Sequence, residues 1–220
     1  MELNAEQQRA VSAVRGPVCI LAGAGSGKTT TITHRIAEQV RSGAFRADEL
    51  MAVTFTDKAG NELRERLARL GVSRVRAGTF HSAALRQLRH FAPDSVGRIL
   101  PSKVPLLRQI GNRLPGAFRF RPAADLASEI EWARNRRIPP ERYLAGAGDR
   151  TPPIPADLMA RVYRDYERAK SSEGVVDFED LLELAIGMFE NDAAARDTFR
   201  AQYRAFTVDE YQDEIGRAHV

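Results

Sequence analysis

Apolar positions along this chain fall into a repeating unit of short run, polar interval and helical face. The run Pro17-Val18-Cys19-Ile20-Leu21 is continuous and rich in β-branched residues, the pattern of a buried parallel strand. After a glycine-rich interval, Ile32, Ile36 and Val40 recur at i, i+4 and i+8, one face of a helix. The unit then repeats. MAVTF (51–55) leads into a segment whose helical face is Leu63, Leu67 and Leu70, and VRAGTF (75–80) leads into HSAALRQLRHF, with Leu85, Leu88 and Phe91 on one side. A fourth apolar rise, in AFTVDEYQD (205–213), runs into Asp209 and Glu210. Alternation of this kind predicts an α/β fold, a parallel sheet flanked by helices on both faces. In such sheets ligands gather beyond the carboxyl ends of the strands, where AGAGSGKT, TFTDKA and GTFHS would all emerge.

Composition changes this picture in the middle of the chain. Residues 91–172 hold 15 Lys/Arg against 9 Asp/Glu, whereas the remainder holds 18 against 20, so the net charge of +4 is concentrated there. Ten of the eleven prolines lie between Pro93 and Pro155. Both shifts mark a second unit inserted into the first: residues 1–90 and 200–213 form the sheet-bearing part, 91–199 a basic and mostly helical insert, and 214–220 a tail. A basic insert suggests a polyanion partner, the alternative being an arginine-rich solvated surface. WARNRR (132–137), one aromatic among three arginines, suits a strand or duplex contact, or else Trp132 is core. One cysteine, Cys19, excludes a disulfide framework, and its place within the first run predicts a small buried thiol. No apolar span of 18 residues occurs and the N-terminus lacks the layout of a signal peptide, so the expectation is a cytoplasmic protein with no membrane partner.

The chemistry begins at Ala22-Gly23-Ala24-Gly25-Ser26-Gly27-Lys28-Thr29. Glycines at 23, 25 and 27 can take positive φ, so successive N–H groups can turn inward around an anion at a helix N-terminus. Lys28 would add a point charge to the β- and γ-phosphates, and Thr29 is the expected hydroxyl ligand of Mg²⁺. The phosphate-loop pattern asks for glycine at position 22, where alanine stands. Asp209 and Glu210, at a strand end, can reach a magnesium nucleotide held by that loop: Asp209 to hold the metal, Glu210 to orient and deprotonate an attacking water. Asn4 and Gln7 are spaced as an N-cap and its N3 partner.

Six motifs in order, LNAEQQRAV, AGAGSGKT, VTFTDKA, GTFHS, VDFEDLL and VDEYQD, resemble the N-terminal half of the UvrD/PcrA/Rep family of superfamily 1 DNA helicases, from Leu3 to Asp213. The resemblance implies an ATP- and Mg²⁺-dependent motor on single-stranded DNA and duplex junctions. It also implies a first RecA-like domain that carries these motifs and a helical domain inserted in it. Gln7 matches the glutamine that reads the adenine edge, which leaves a ligand role and a capping role both open. The segment Ala22 to Thr30 matches the nucleotide loop, although the family often carries arginine where Thr30 stands. Lys28, Asp209 and Glu210 match catalytic positions, and Thr29 and Asp209 the metal ligands. The loops after the second and third strands match DNA contacts at Thr54, Phe55, Thr56, Lys58, Thr79, Phe80, His81 and Ser82. Hydroxyls and helix N-termini suit phosphates and aromatic rings suit bases. Capping by Thr56 or Asp57 and core packing by Phe55 or Phe80 are the competing readings. Asp57, where the family has asparagine, is not counted as a contact.

After Asp213 the sequence EIGRAHV leaves the family pattern, and the reading is a truncated chain that lacks a C-terminal half with a second RecA-like domain. Two other classes fit a phosphate loop: a phosphotransferase acting on small molecules, and a non-catalytic nucleotide- and DNA-binding module.

Overall fold

The structure, a computed structural model, describes residues 3–23 and 25–211. In chain order its first elements are helices α1 (Ala5–Ser12) and α2 (Lys28–Arg41), strand β1 (Leu50–Thr54), α3 (Asp57–Arg69), β2 (Arg76–Thr79) and α4 (Phe80–Phe91). There follow β3 (Arg98–Ile99), α5 (Val104–Gly111), α6 (Ala123–Asn135), α7 (Tyr143–Gly146), α8 (Ala156–Glu173) and β4 (Val175–Val176). The last elements are α9 (Phe178–Asn191), α10 (Ala193–Gln202) and β5 (Ala205–Val208). The chain divides into two compact units, one formed by residues up to Ala83 with Met188–Tyr211, the other by Ala84–Gly187.

The first unit is a parallel sheet in the order β2-β1-β5. Strand β1 is buried throughout, and its residues alternate between two cores as a period of two requires. Leu50 and Ala52 join Ile32 and Ile36 of α2 and Leu63 and Leu67 of α3. Met51 and Val53 join Tyr203, with Phe80, Ala83 and Phe199 packed against them. Helices thus flank both faces, as the alternating pattern predicts. Local signals set the helix starts: the Thr56 hydroxyl accepts from the Ala59 N–H at the head of α3, and the Asp192 carboxylate from the Ala195 N–H at the head of α10. Gly60 on α3 lies so close to Gly78 on β2 that an added Cβ would stand 3.2 Å from the Gly78 Cα, which lets helix and strand approach nearly backbone to backbone.

Residues 17–21 depart from expectation. They are irregular rather than a strand, and Val18 and Leu21 are exposed; Ile20 alone of the run packs partly against the core. Apolar composition satisfies the demand for burial but says nothing of pairing, and a parallel strand exists only where a neighbour offers its N–H and C=O groups in register. Cys19 is accordingly an exposed thiol, not a buried one. Phe80 also differs, since it opens α4 instead of ending a strand.

In the second unit α5, α6 and α8 enclose a core that includes Leu107, Leu126, Ile130, Met159 and Tyr166. β3 and β4 pair in parallel over two residues, too short a ladder for periodicity to reveal. The motif VDFEDLL does local and tertiary work at once. The Asp177 carboxylate accepts from the Asp180 N–H and the Asp180 carboxylate from the Asp177 N–H, a reciprocal cap on α9. The second Asp177 oxygen accepts from the Tyr166 hydroxyl and from Lys170 Nζ, 2.8 and 2.9 Å away. Arg134, buried beside them, bonds Glu167, Asp180 and Glu183. Burial opposes ionisation of Asp177, but the charge and hydrogen bond of Lys170 and the charge of Arg134 outweigh it and hold the carboxyl well below the usual carboxylate range. Among the described residues no helix is long and apolar enough to cross a membrane.

Asp177→Asn should cost about 3 kcal/mol in denaturant unfolding near neutral pH, because it strands buried cations. A carboxyl whose pKa is depressed on folding contributes stability above its unfolded pKa, near 3.8, and loses it progressively as pH drops below that value and through the lower folded pKa. The wild-type chain should therefore weaken steeply below about pH 4, and the Asn variant less so.

Candidate nucleotide site

The loop before α2 owes its shape to glycine and to one serine. Gly25 and Gly27 have φ of 76° and 86°, left-handed values that side-chain-bearing residues seldom adopt. Between them Ser26 donates both its N–H and its hydroxyl to the Gly23 carbonyl, 3.2 and 2.6 Å away, which closes a turn. Gly27 is the N-cap of α2 and offers no side chain to the first-turn N–H groups, so those donors point out of the helix end toward the loop. A Cβ on Gly27 would stand 2.8 Å from Gln7 Nε2, a second reason for glycine there.

Gln7 takes the capping role its spacing predicts and also touches the phosphate loop. Its Oε1 accepts from the Asn4 N–H while Asn4 Oδ1 accepts from the Gln7 N–H, a complete capping box on α1. The same amide then directs Nε2 at the Ser26 carbonyl, 3.1 Å away. The cap thus aims the amide into the phosphate loop. The threonine run divides as well: Thr31 and Thr33 are buried with hydroxyls bonded back to the carbonyls of Gly27, Thr29 and Thr30, whereas Thr29 and Thr30 remain half-buried at the helix start. Thr30 Oγ1 accepts from Arg66 Nη1 at 3.3 Å, which puts an α3 guanidinium beside the position where an arginine would stand in the family pattern. The two lie 36 positions apart, and no sequence signal marks that contact. Ala22 and Gly23 are exposed, and Ala24 lies outside the described residues, as do Gln212, Asp213 and the tail.

Strand order brings the acidic pair to this loop. The Asp209 N–H donates to the Val53 carbonyl and extends the ladder of β5 with β1 by one residue. Glu210 then takes φ of 56°, a left-handed conformation that is uncommon for a residue with a side chain and is found at functional turns. The turn carries both carboxylates to Lys28: Nζ stands 2.5 Å from Glu210 Oε1 and 3.7 Å from Asp209 Oδ1. Burial raises the Asp209 pKa, the Lys28 ammonium opposes the rise and the Glu210 charge adds to it.

One ammonium between two carboxylates leaves an excess negative charge, and hard oxygen donors suit a divalent cation such as Mg²⁺. Among the described residues no group of three or more His, Cys, Asp or Glu side chains is placed to hold a metal. A cation here would draw on Asp209, the Thr29 hydroxyl, water and a ligand's own oxygens. That donor set fits Mg²⁺ carried in with a nucleotide rather than a metal caged by protein.

The expected DNA-contact residues separate into two groups. Thr54 pairs in register with Thr79, and Val53 with Val208, so the three strand ends leave one edge of the sheet. At that edge Phe55 and Lys58 are exposed and His81 and Ser82 lie in the first turn of α4. Thr54 is buried and donates to the Thr56 carbonyl; Thr56 caps α3; the Thr79 hydroxyl accepts from the Ser82 N–H; and Phe80 packs against Met51, Val53 and Tyr203. Those four side chains build the loops, and so does Ser82, whose hydroxyl donates to the Thr79 carbonyl at 2.8 Å.

The chain is 46% identical to the ATP-dependent DNA helicase UvrD2 of Mycobacterium tuberculosis, covering 96% of this chain and 33% of that protein. It is 32% identical to the ATP-dependent DNA helicase UvrD1 of the same organism, over 96% of this chain and 28% of the relative. It is also 32% identical to the ATP-dependent DNA helicase PcrA of Leuconostoc citreum, over 96% and 29%. The chain therefore spans about a third of the length of the curated relatives it matches. The family model described as UvrD/REP helicase N-terminal domain matches residues 3–215, and the chain belongs to that family.

Proposed function

We propose that this chain is the ATP-binding wall of a DNA helicase that moves along single-stranded DNA and opens duplex junctions. The observation that carries the reading is the Lys28 ammonium lying between Asp209 and Glu210, at the mouth of a glycine loop 180 residues away in sequence. In this reading the loop from Ala22 to Thr30 wraps the phosphates of ATP, and Lys28 leaves the carboxylates to bind the β- and γ-oxygens. Thr29 and Asp209 would hold Mg²⁺, which would supply neutralising charge to the phosphates. Glu210 is then released to accept a proton from the water that attacks the γ-phosphorus. Gln7 turns its amide from Ser26 to the adenine edge. The three relatives, all ATP-dependent DNA helicases by name, support the same assignment.

DNA lies across the neighbouring strand ends. Phe55 is placed to stack on a base, Lys58 to meet a phosphate and His81 to bond the backbone at the head of α4, where Ser82 would join it by releasing the Thr79 carbonyl. Thr54, Thr56, Thr79 and Phe80 hold those loops in shape. A motor of this kind turns nucleotide state into movement by closing a cleft between two bodies, and an arginine from the far wall is worth 10³–10⁵ in turnover in related phosphoryl-transfer systems. This chain supplies one wall. Its work is with DNA, in the cytoplasm.

Lys28→Ala should weaken binding of ATP with Mg²⁺ by roughly tenfold or more in a fluorescent-nucleotide titration, the loss of a charge-assisted contact. Unchanged affinity would remove the phosphate assignment. In the complete helicase, Glu210→Gln should retain nucleotide binding while DNA-stimulated turnover falls by about 10²–10⁴, the range for loss of a general base; a variant with full turnover would exclude that role. The 220-residue chain alone should bind nucleotide weakly and fail to separate a labelled duplex with ATP, and strand separation by it would refute the one-wall reading.

A further inference from the structure

Helix α1 has no buried residue, and its eight residues are too few for a helix to persist alone in water. Its anchors are polar. At one end Gln7 reaches the Ser26 carbonyl; at the other, two side chains of α2 hold the carbonyls that follow the helix, Arg35 Nε donating to Ala13 and Gln39 Nε2 to Val14, each at 3.0 Å. Arg35 and Gln39 lie one turn apart on a single face of α2. Both are unfavourably placed. Arg35 is 8% exposed and among the described residues pairs with no carboxylate, whereas the buried cations Lys103, Arg134 and Lys170 each meet one within 3.2 Å. Gln39 is 2% exposed, and its Oε1 is buried with no hydrogen-bond partner among the described residues. A buried charge without a counter-ion and a buried acceptor without a donor both oppose folding. What the two side chains share is the end of α1, where unpaired carbonyls and the negative pole of the helix dipole suit a cation and a donor.

We propose that Arg35 and Gln39 are positioning residues that set α1 along α2, so that the Gln7 amide stands at a fixed distance from the phosphate loop and reads the base of a nucleotide bound there. Helix α2 carries the loop at its N-terminus and the two anchors farther along the same rod. From Gly27 to Arg35 is about 12 Å along α2, and from Gln7 to Ala13 about 9 Å along α1, at about 1.5 Å per residue. Gln7 lies against Gly27 and Ala13 against Arg35, so α1 cannot slide along α2 without losing a contact at one end. A glutamine amide offers a donor and an acceptor side by side, which match N7 and the N6 amino group of adenine; guanine presents an oxygen in place of that amino group. Discrimination between the two bases therefore depends on where the amide stands. The inference rests on the reading of Gln7 as the adenine contact.

The test is displacement of a fluorescent ATP analogue from the 220-residue chain, with Mg²⁺ present, by ATP, GTP and inorganic tripolyphosphate, which has the phosphates but no base. Gln7→Ala, Arg35→Ala and Gln39→Met should each lower ATP affinity roughly three- to tenfold, bring the preference for ATP over GTP toward parity, and leave tripolyphosphate within about twofold of wild type. Arg35→Lys, which keeps the charge and a donor, should retain most of the preference. In a Gln7→Ala background the Arg35 and Gln39 substitutions should change the preference no further, as residues that act through Gln7 must. Gln39→Met keeps the length of the side chain and removes the unpaired acceptor, so its thermal unfolding should match the wild type. Circular dichroism checks each variant; should Arg35→Ala not fold, Gln39→Met decides, and a Gln39→Met chain that does not fold would make the contact a structural prop and overturn the inference. Equal losses of ATP and tripolyphosphate affinity would overturn it as well. A preference lost in Gln7→Ala but kept in Arg35→Ala and Gln39→Met would remove these anchors and leave the proposed function standing. A wild type without the preference, or a Gln7→Ala variant that keeps it, would overturn the adenine reading and the inference together.

Discussion

Leu50 and Ala52 face one group of helices and Met51 and Val53 the other, while β2 and β5 hold the two edges of the same strand. Strand β1 therefore has no freedom to slide: a shift of one residue would turn each core face inside out. Its confinement fixes where its neighbours end. Thr54 lies opposite Thr79 and Val53 opposite Val208, and beyond those pairs the chain must leave the sheet at a common edge. The acidic turn at Asp209 and Glu210 and the exposed Phe55 and Lys58 are gathered there by sheet register, not by any attraction between them.

The two units show opposite uses of the same ingredients. Around Asp177, cations and carboxylates are sealed: Arg134, Lys170 and Asp177 have side chains 5%, 4% and 1% exposed, and each makes several bonds. A cluster of that kind resists exchange, because losing one partner leaves a charge buried without compensation. Around Lys28 the ammonium and the Glu210 carboxylate are more open, at 21% and 38%. An incoming anion can displace a carboxylate there, with water to receive the released group. The same pairing of charges is thus a structural staple in one unit and an exchangeable contact in the other, and the difference is solvent access.

Part of this was legible in the residues. Glycines at 25 and 27 specify left-handed torsions; Asn4 with Gln7 and Thr56 ahead of α3 specify helix starts; the three-to-four spacing of Ile32 with Ile36 and of Leu63 with Leu67 specifies buried faces. These are statements about torsion preference and period, and both act within one or two turns of chain. The run at 17–21 shows their limit. Its residues are as apolar as those of β1, yet it pairs with nothing in the described sheet, because apolarity carries no information about which edge is available.

Partner choice across distance was decided elsewhere. No local pattern foretells that Gln7, while capping α1, also reaches Ser26, that Arg66 bonds Thr30, or that Lys170 and Tyr166 share one oxygen of Asp177. The sequence by itself determined the glycine loop, the helix that follows it, the alternation of strand and helix, and the chemical types of Lys28, Asp209 and Glu210. The tertiary structure alone decided that these three side chains meet within 4 Å, because strand order and register, unlike torsion and period, depend on the whole core closing at once.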